Sequence, residues 1–538
     1  MKRDRIRNAF ALLLGLLLVL GAVLALGEGR EGRADFAFVN ATEPQSLDPA
    51  VVTGVPEGKI LRNLFEGLTV PGPKDLSPLP GMAESWEISE DGKTYVFHIR
   101  KDAKWSNGDP LGAEDFRWSW QRFLDPKTGA QYAELFRFVV GAEDFYKGKS
   151  KDFKKVGIEV RDPKTLVVRL KNPTPFFLDL TGFYPLYPVH RKSVEGDPLW
   201  NRPGHLVSNG PFLLKDRQIR DRILLAKNPL YWDRDHVHLN TVEILPVESK
   251  TTALNLYLHG MVDYLYDFPP SILPELRKRK DFHTGPYLGV YFYRINLKNK
   301  DPLKRKFLGD LRVRRALSMA MNREAIVQKV TRNNEQPALH FVPPGIRSYK
   351  SPRLSGYNLK KAKALIQEAL KDLGMKKPPM IRILYNTNEL HKDIAEVLQS
   401  QWGRDLGLEV RLENQEWGTY LNSVRLFDYD IARAAWIGDY VDPNTFLDMW
   451  MTGGGNNRTG YANPRYDALI RRANKERDRK KRDKLFFEVE SILLRDLPVI
   501  PIYFYVSKYI LNPKVKGFYP NLQDVHHLKF LRIERGAR

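Results

Sequence analysis

The 538-residue sequence contains no cysteine. That excludes disulfide frameworks, zinc–thiolate sites, iron–sulfur clusters, thiol catalysis and a bacterial lipoprotein anchor, whose lipid is carried on Cys. Acidic residues are comparatively scarce: Asp plus Glu number 64 against 86 Lys plus Arg, a formal charge of +22. Such a surplus points to nucleic acid, an anionic membrane or acidic ligands as candidate partners. Long hydrophobic runs are missing beyond the first thirty residues, so no later stretch suits a bilayer span. Catalytic motifs are missing too. There is no HExxH and no GxSxG. Gly92-Lys-Thr94 and Gly148-Lys-Ser150 lack the upstream glycine of a phosphate loop and read as turns. His236 with His238, and His526 with His527, lack third and fourth ligands at useful spacing, so no metal site is assigned. Glu114 and Asp115 read as helix-start chemistry.

What is present is globular: 42% hydrophobic and 28% charged residues, enough for several buried cores. Lys2, Arg3, Arg5 and Arg7 precede an uncharged, Leu-rich run from Asn8 to Gly27, with small residues at Ala25 and Gly27. This pattern reads as a secretory signal, residues 1–27, cleaved after Gly27; a run of this length can also stay as an uncleaved anchor. Export without a lipidation site favours a free periplasmic protein, and a periplasmic protein does not normally meet chromosomes.

Short strands and helices alternate along the chain. Thr94–Ile99 and Thr165–Leu170 alternate in the manner of half-buried strands. Leu359–Leu370, Asp393–Leu406 and Pro464–Leu494 carry apolar residues at helical spacing. Strands at Ile381–Tyr385 and Glu409–Leu412 bracket the second of these helices and predict a βαβ unit. Pro- and Gly-rich punctuation at Pro71–Gly81, Pro185–Pro188 and Pro343–Gly345 predicts an α/β protein of more than one lobe. Two basic runs stand out, Lys304–Arg315 and Arg471–Lys484. In the second, Glu476, Asp478 and Asp483 interleave with the bases, as on a solvated helical face with i,i+4 pairs. Neither run carries the stacking aromatics of a polyanion site.

The most informative stretch lies between Asn386 and Tyr461. If Asp430–Ile437 is a strand, Arg433, Ala435, Ile437 and Asp439 share one parity, with cation and anion about 20 Å apart at strand rise. The arrangement suits an extended, zwitterionic peptide: Asp439 for its α-ammonium, Arg433 towards its carboxylate, backbone groups between them pairing with the ligand. Two unrelated salt bridges would use the same residues, and both readings stand on parity alone.

The chain resembles the periplasmic oligopeptide-binding proteins of ABC importers, within solute-binding protein family 5. The resemblance is carried by Glu43–Pro49, Leu64–Leu68, Lys104–Gly108, Ser119–Arg122, Asn209–Phe212 and Asn228–Trp232. It continues through Leu384–Thr387, Leu390–Lys392, Asn414–Trp417, Asp430–Tyr440 and Asn456-Asn457. It implies a two-lobed, hinged α/β fold of the periplasmic-binding-protein kind (type II, large cluster), with an additional third domain packed on one lobe. The implied division is lobe I from 28–66, 190–290 and 506–538, the additional domain from 67–189, and lobe II from 291–505. By the same resemblance, Asp439 matches the residue holding a peptide amino terminus. Arg433 matches a cation near the carboxylate, and His391 a further contact. Ala435, Ile437 and Val55 match backbone-pairing positions, the last from the opposite lobe. Trp417, Trp436, Tyr132, Tyr266 and Asp267 match side-chain-pocket and backbone neighbours; for Trp417, Trp436 and Tyr132, core packing is the competing role.

Three departures follow. Val424, with Arg425 beside it, stands where relatives carry a second carboxylate-seeking Arg. Thr53 replaces an acidic residue, and Gly289 with Ile437 replaces a Cys pair. The resemblance implies no cofactor, no metal and no enzymatic step. The implied partners are short peptides and the permease and ATPase complex of the inner membrane, for a monomer without nucleic acid. Other cargoes within the family (murein peptide, dipeptide, haem or a metal chelate), an anchored polyanion-binding protein and a peptide hydrolase are the competing functions.

Overall fold

The structure is a computed structural model that describes residues 32–534, apart from 347, 348 and 477. The expected secretory signal, residues 1–27, lies outside the described residues. Among the described residues no helix is long and apolar enough to cross a membrane.

Strand β1 (Phe36–Val39) leads into helix α1 (Val55–Leu64). A separate four-stranded antiparallel sheet follows, from β2 (Ala83–Ile88), β3 (Thr94–Ile99), β4 (Ile158–Asp162) and β5 (Thr165–Arg169), in the order β2-β3-β5-β4. Helix α2 (Ala113–Leu124) is inserted between β3 and β4; Asp115 accepts from the Gly112 backbone N–H at 2.7 Å, the helix-start role expected of it. The chain returns through β6 (Phe212–Gln218), β7 (Arg222–Lys227), β8 (Thr241–Leu245) and β9 (Tyr264–Leu265). The long strand β10 (Phe282–Ile295) then crosses to the other half. That half contains α3 (Leu359–Leu373), β11 (Ile381–Asn386), α4 (Glu389–Leu406), β12 (Val410–Gln415), α5 (Trp417–Arg425) and β13 (Ile431–Ile437). Helices α6 (Pro464–Ala473) and α7 (Arg479–Asp496) precede β14 (Val499–Leu511), which crosses back.

The main sheet runs β12-β11-β13-β10-β14-β9-β1-β8-β7-β6. Among the described residues only β10 and β14 belong to both halves, and their ladder is interrupted midway. Phe282–Pro286 pair with Val506–Ile510, then the register shifts before Val290 pairs with Phe504. Such an irregularity removes ladder bonds and lets the strands bend locally. One continuous core joins β1, α1 and β6–β8 to the four-stranded sheet and α2, through residues such as Phe36, Leu64, Phe97, Trp120 and Ile244. The other half has its own cores on the two faces of the sheet, one under α3 and α4 and one under α6 and α7. This is a mixed α/β architecture with two sheet-built halves and a third, inserted domain.

Local elements follow from elementary patterns. Burial in β3 alternates strictly, as the sequence predicts for a strand with one face on the core. Ile381–Asn386 and Val410–Gln415 are parallel neighbours flanking α4, which is the expected βαβ unit. Asn388 caps α4, accepting from the N–H groups of Leu390 and His391, and Gly407 ends it at φ +67°. The single helix expected over Pro464–Leu494 is two helices. Asp478 accepts from the Lys481 N–H at 2.9 Å and starts α7, so it is a cap and not part of a solvated ion-pair face. Arg482 of the same run turns inward onto Asp442, at 2.5 and 2.9 Å.

Candidate functional site

Strand β13 carries three of the candidate residues of the sequence reading, Arg433, Ala435 and Ile437, together with Trp436. Residues 431–434 are buried and 435–437 half-buried, so the strand leaves the core at its C-terminal end. Gly438 N–H donates to the Leu288 carbonyl at 2.8 Å, and Ile437 opposes Gly289 in the antiparallel ladder with β10. In such a ladder alternate residues bond to the neighbour. The even-numbered residues of β13 therefore face β10, and the odd-numbered ones present N–H and C=O to the opposite side. On that side β11 pairs only with Ile431 and Ala432, and the Arg433 carbonyl accepts from the Tyr420 hydroxyl. Among the described residues no strand lies beside Ala435 or Ile437 there, which leaves a short, unpaired sheet edge facing the cleft between the halves.

A cation stands at one end of this edge. Arg433 is buried at 9% exposure; its guanidinium donates to Asn386 Oδ1 at 3.2 Å and Tyr505 Oη at 3.3 Å and lies 5.0 Å from the Tyr291 ring centre. Its Nε has no hydrogen-bond partner, and among the described residues no carboxylate lies within ion-pair distance. His391, in the first turn of α4, has Nδ1 3.4 Å from Tyr291 Oη. Burial, then Arg433 and Lys250, hold its imidazole well below the usual histidine range, so it is neutral.

An anion stands at the other end. The strand stops at Ile437, so parity does not place Asp439; its loop does, through the Asp439 N–H donating to Thr445 Oγ1 at 3.0 Å. The carboxylate accepts from Tyr132 Oη and Thr445 Oγ1, both at 3.4 Å, and has no cation within ion-pair distance among the described residues. Burial, and then the Asp448 carboxylate, push its pKa well above the ordinary range. Asp439 also borders a cavity of about 200 Å³ lined by Arg62, Asp179 and Phe183.

The remaining expected residues fall around this edge in different ways. Tyr132 and Trp436 meet as tilted rings 6.3 Å apart, and Trp436 Nε1 donates to Thr445 Oγ1 at 3.4 Å. Trp417 starts α5 and stacks on Tyr420, and its indole lies against the buried Glu57 carboxylate of α1. Tyr266 lies under the ammonium of Lys59, 3.0 Å from ring centre. Asp267 is paired with the buried Lys250 at 3.0 Å and accepts from Asn388 Nδ2 at 3.3 Å, which ties the two halves together. Val55, 39% exposed, is the first residue of α1; the extended backbone expected for pairing ends at Gly54. Val424 is buried with Tyr420 and Tyr429, while exposed Arg425 bonds Asn422 at 2.7 Å, so Arg425 does not stand in for the missing Arg. Tyr291, Tyr505, Asn386, Thr445 and Lys250 contact the candidate residues and were not read from the sequence. Tyr291 opposes Ala435 in the ladder, a register that a sequence pattern does not disclose.

The family model for bacterial extracellular solute-binding proteins, family 5, matches residues 77–458. The oligopeptide-binding protein OppA of Bacillus subtilis is 36% identical over 508 residues, 91% of this chain and 92% of its own. The structure of Haemophilus influenzae OppA in complex with the peptide RPPGFSPFR is matched at 35% identity and TM-score 0.88, covering 94% of this chain and 99% of that one. The murein tripeptide binding protein MppA of Escherichia coli is matched at TM-score 0.88 and 33% identity, again over 94% and 99%. Its unliganded open form, over 94% and 98%, is matched at only 0.62 with 32% identity, so the halves here are arranged as in the peptide complex and not as in the open form. The chain belongs to the bacterial extracellular solute-binding proteins, family 5.

Proposed function

We propose that this protein is the substrate-binding component of an ABC peptide importer. It captures short, extended peptides between its lobes and delivers them to the permease and ATPase complex of the inner membrane. The observation that carries the reading is the uncompensated pair, Arg433 at one end of the free β13 edge and Asp439 at the other. Arg433 is buried and Asp439 half-buried, each without its opposite charge at ion-pair distance, a costly arrangement unless a ligand supplies the partner. A peptide with free termini supplies both, and its backbone adds to the edge at Ala435 and Ile437 as a further strand. Termini and backbone are common to all peptides, so fixing them gives affinity with little sequence preference.

Lobe II is supported as a unit by its own cores and by the register break of β10 and β14 between Pro286 and Val290, and the additional domain at 67–189 by its own four-stranded sheet, although it shares a core with lobe I. Bending there would open and close the cleft, and a permease would read the closed state. The protein works in the periplasm and catalyses no bond chemistry. Mass spectrometry of ligands released by denaturing the purified protein tests the reading. Mixed peptides of a few residues are expected, and a single non-peptide species would overturn it.

A further inference from the structure

The additional domain touches lobe II through a set of contacts unlike those that join it to lobe I. Towards lobe I it shares a continuous apolar core. Towards lobe II the contacts are mostly polar and lie beside the ligand edge without belonging to it. Arg137, in the 3-10 helix Ala133–Phe138, forms an ion pair with Asp448 whose side chains are only 12% and 8% exposed. Glu134 accepts from the Gly455 N–H at 2.7 Å and from Asn456 Nδ2 at 3.4 Å. Arg458 donates to Gln131 Oε1 at 2.7 Å. Phe176 lies flat on Tyr440, 4.1 Å between centres at 5°, and the Tyr440 hydroxyl donates to Asp448 at 3.4 Å.

Gly455 shows what the contact demands. The three atoms nearest to a Cβ there all belong to the additional domain: the Gln131 carbonyl oxygen at 2.6 Å, its carbon at 3.7 Å and Glu134 Oε2 at 3.7 Å. The first is a backbone atom that cannot swing aside. Gly455 has no positive φ, and nothing of its own lobe crowds it. Its lack of a side chain answers to docking of the other domain.

We propose that Gln131–Arg137 and Asp448–Arg458 form a latch that engages when the lobes close and sets how long the closed state lasts. The latch rests on the two-lobed, ligand-closing reading of the protein. It adds to closure a free energy that does not pass through the ligand. Arg137 and Asp448 neutralise each other only while engaged, and removing one partner leaves the other buried and unpaired, so the latch is sensitive to single changes. Its position next to Tyr132 and Asp439 places it at the amino-terminal end of the proposed peptide site.

The cysteine-free chain makes the test direct. Spin labels on exposed residues of the two bodies, at Lys192→Cys and Lys360→Cys, report the lobe separation by pulsed electron paramagnetic resonance. In the ligand-free protein a short and a long distance are expected, with the short one lost on Gly455→Ala and melting of the fold unchanged. With a bound tripeptide, Gly455→Ala and Arg137→Met are expected to raise the dissociation rate about tenfold or more, with little change in association. A wild-type distance distribution in Gly455→Ala overturns the latch. If the protein binds no peptide, the peptide reading alone fails, and the ligand-free distances still decide the latch.

Discussion

Asp439 accepts hydrogen bonds from Tyr132 and Thr445 but meets no cation at ion-pair distance among the described residues; Arg62 acts on it only from further away. Burial therefore dominates and raises its pKa in the ligand-free protein. An arriving ammonium would lower it. The sign follows: affinity is greatest above the ligand-free pKa and falls as pH drops through it, and between the two values binding releases a proton. Calorimetry of a tripeptide in two buffers of different ionisation heat is expected to show that release. Asp439→Asn is expected to abolish it and weaken binding about tenfold or more. His391 adds nothing to this linkage near neutrality, because its imidazole is already held neutral. Arg433 and Asp439 were legible in the sequence because their charges flank an apolar, strand-like run. Their supports were not. Tyr505 and Asn386 hold Arg433 from β14 and β11, and spacing within Asp430–Tyr440 carries no trace of elements that distant.

Strand β13 is legible as a strand but not as an edge. Its seven residues read alike in sequence, yet the first four are enclosed by neighbours and the last three open onto the cleft. Where β11 stops pairing decides the difference, and that depends on tertiary register. Ala435→Pro tests the edge, because proline removes an N–H and fills its place with ring atoms. Since that N–H points away from β10, the fold is expected to persist by circular dichroism. Peptide affinity is expected to fall about tenfold or more. The α6–α7 break shows the opposite failure. Apolar periodicity lapses between Ala473 and Leu485, but the capping Asp478 is hidden there in a run of charges that reads equally well as a solvated helix face. Strand β3 was easier, because its half-buried face imposes the alternation that a sequence can show, whereas β5, expected to alternate likewise, is buried on both faces over its first four residues.

At the scale of the whole molecule, part of the +22 charge in the first basic run is engaged inside the fold, as is Arg482 of the second. Lys304 pairs with Asp430 at 2.6 Å, Arg312 with Asp310 and Asp372, and buried Arg314 donates to the carbonyls of Leu308, Gly309 and Asp496. These cations are used internally, and the surplus is a property of the shell. A net positive shell attracts anions over roughly a Debye length, about 8 Å at physiological ionic strength. Held as proposed, a peptide would meet Arg433 and Asp439 behind low-dielectric walls, where salt screens far less. The shell should then act on encounter and not on residence. Stopped-flow measurements with Asp-Ala-Ala and Lys-Ala-Ala are expected to show faster association of the acidic peptide at low salt. The difference should shrink as salt rises, while both dissociation rates stay nearly constant. Equal association rates at low salt would mean that the surplus does not steer ligands into the cleft, and that the field there is set by the local carboxylates Asp439 and Asp179.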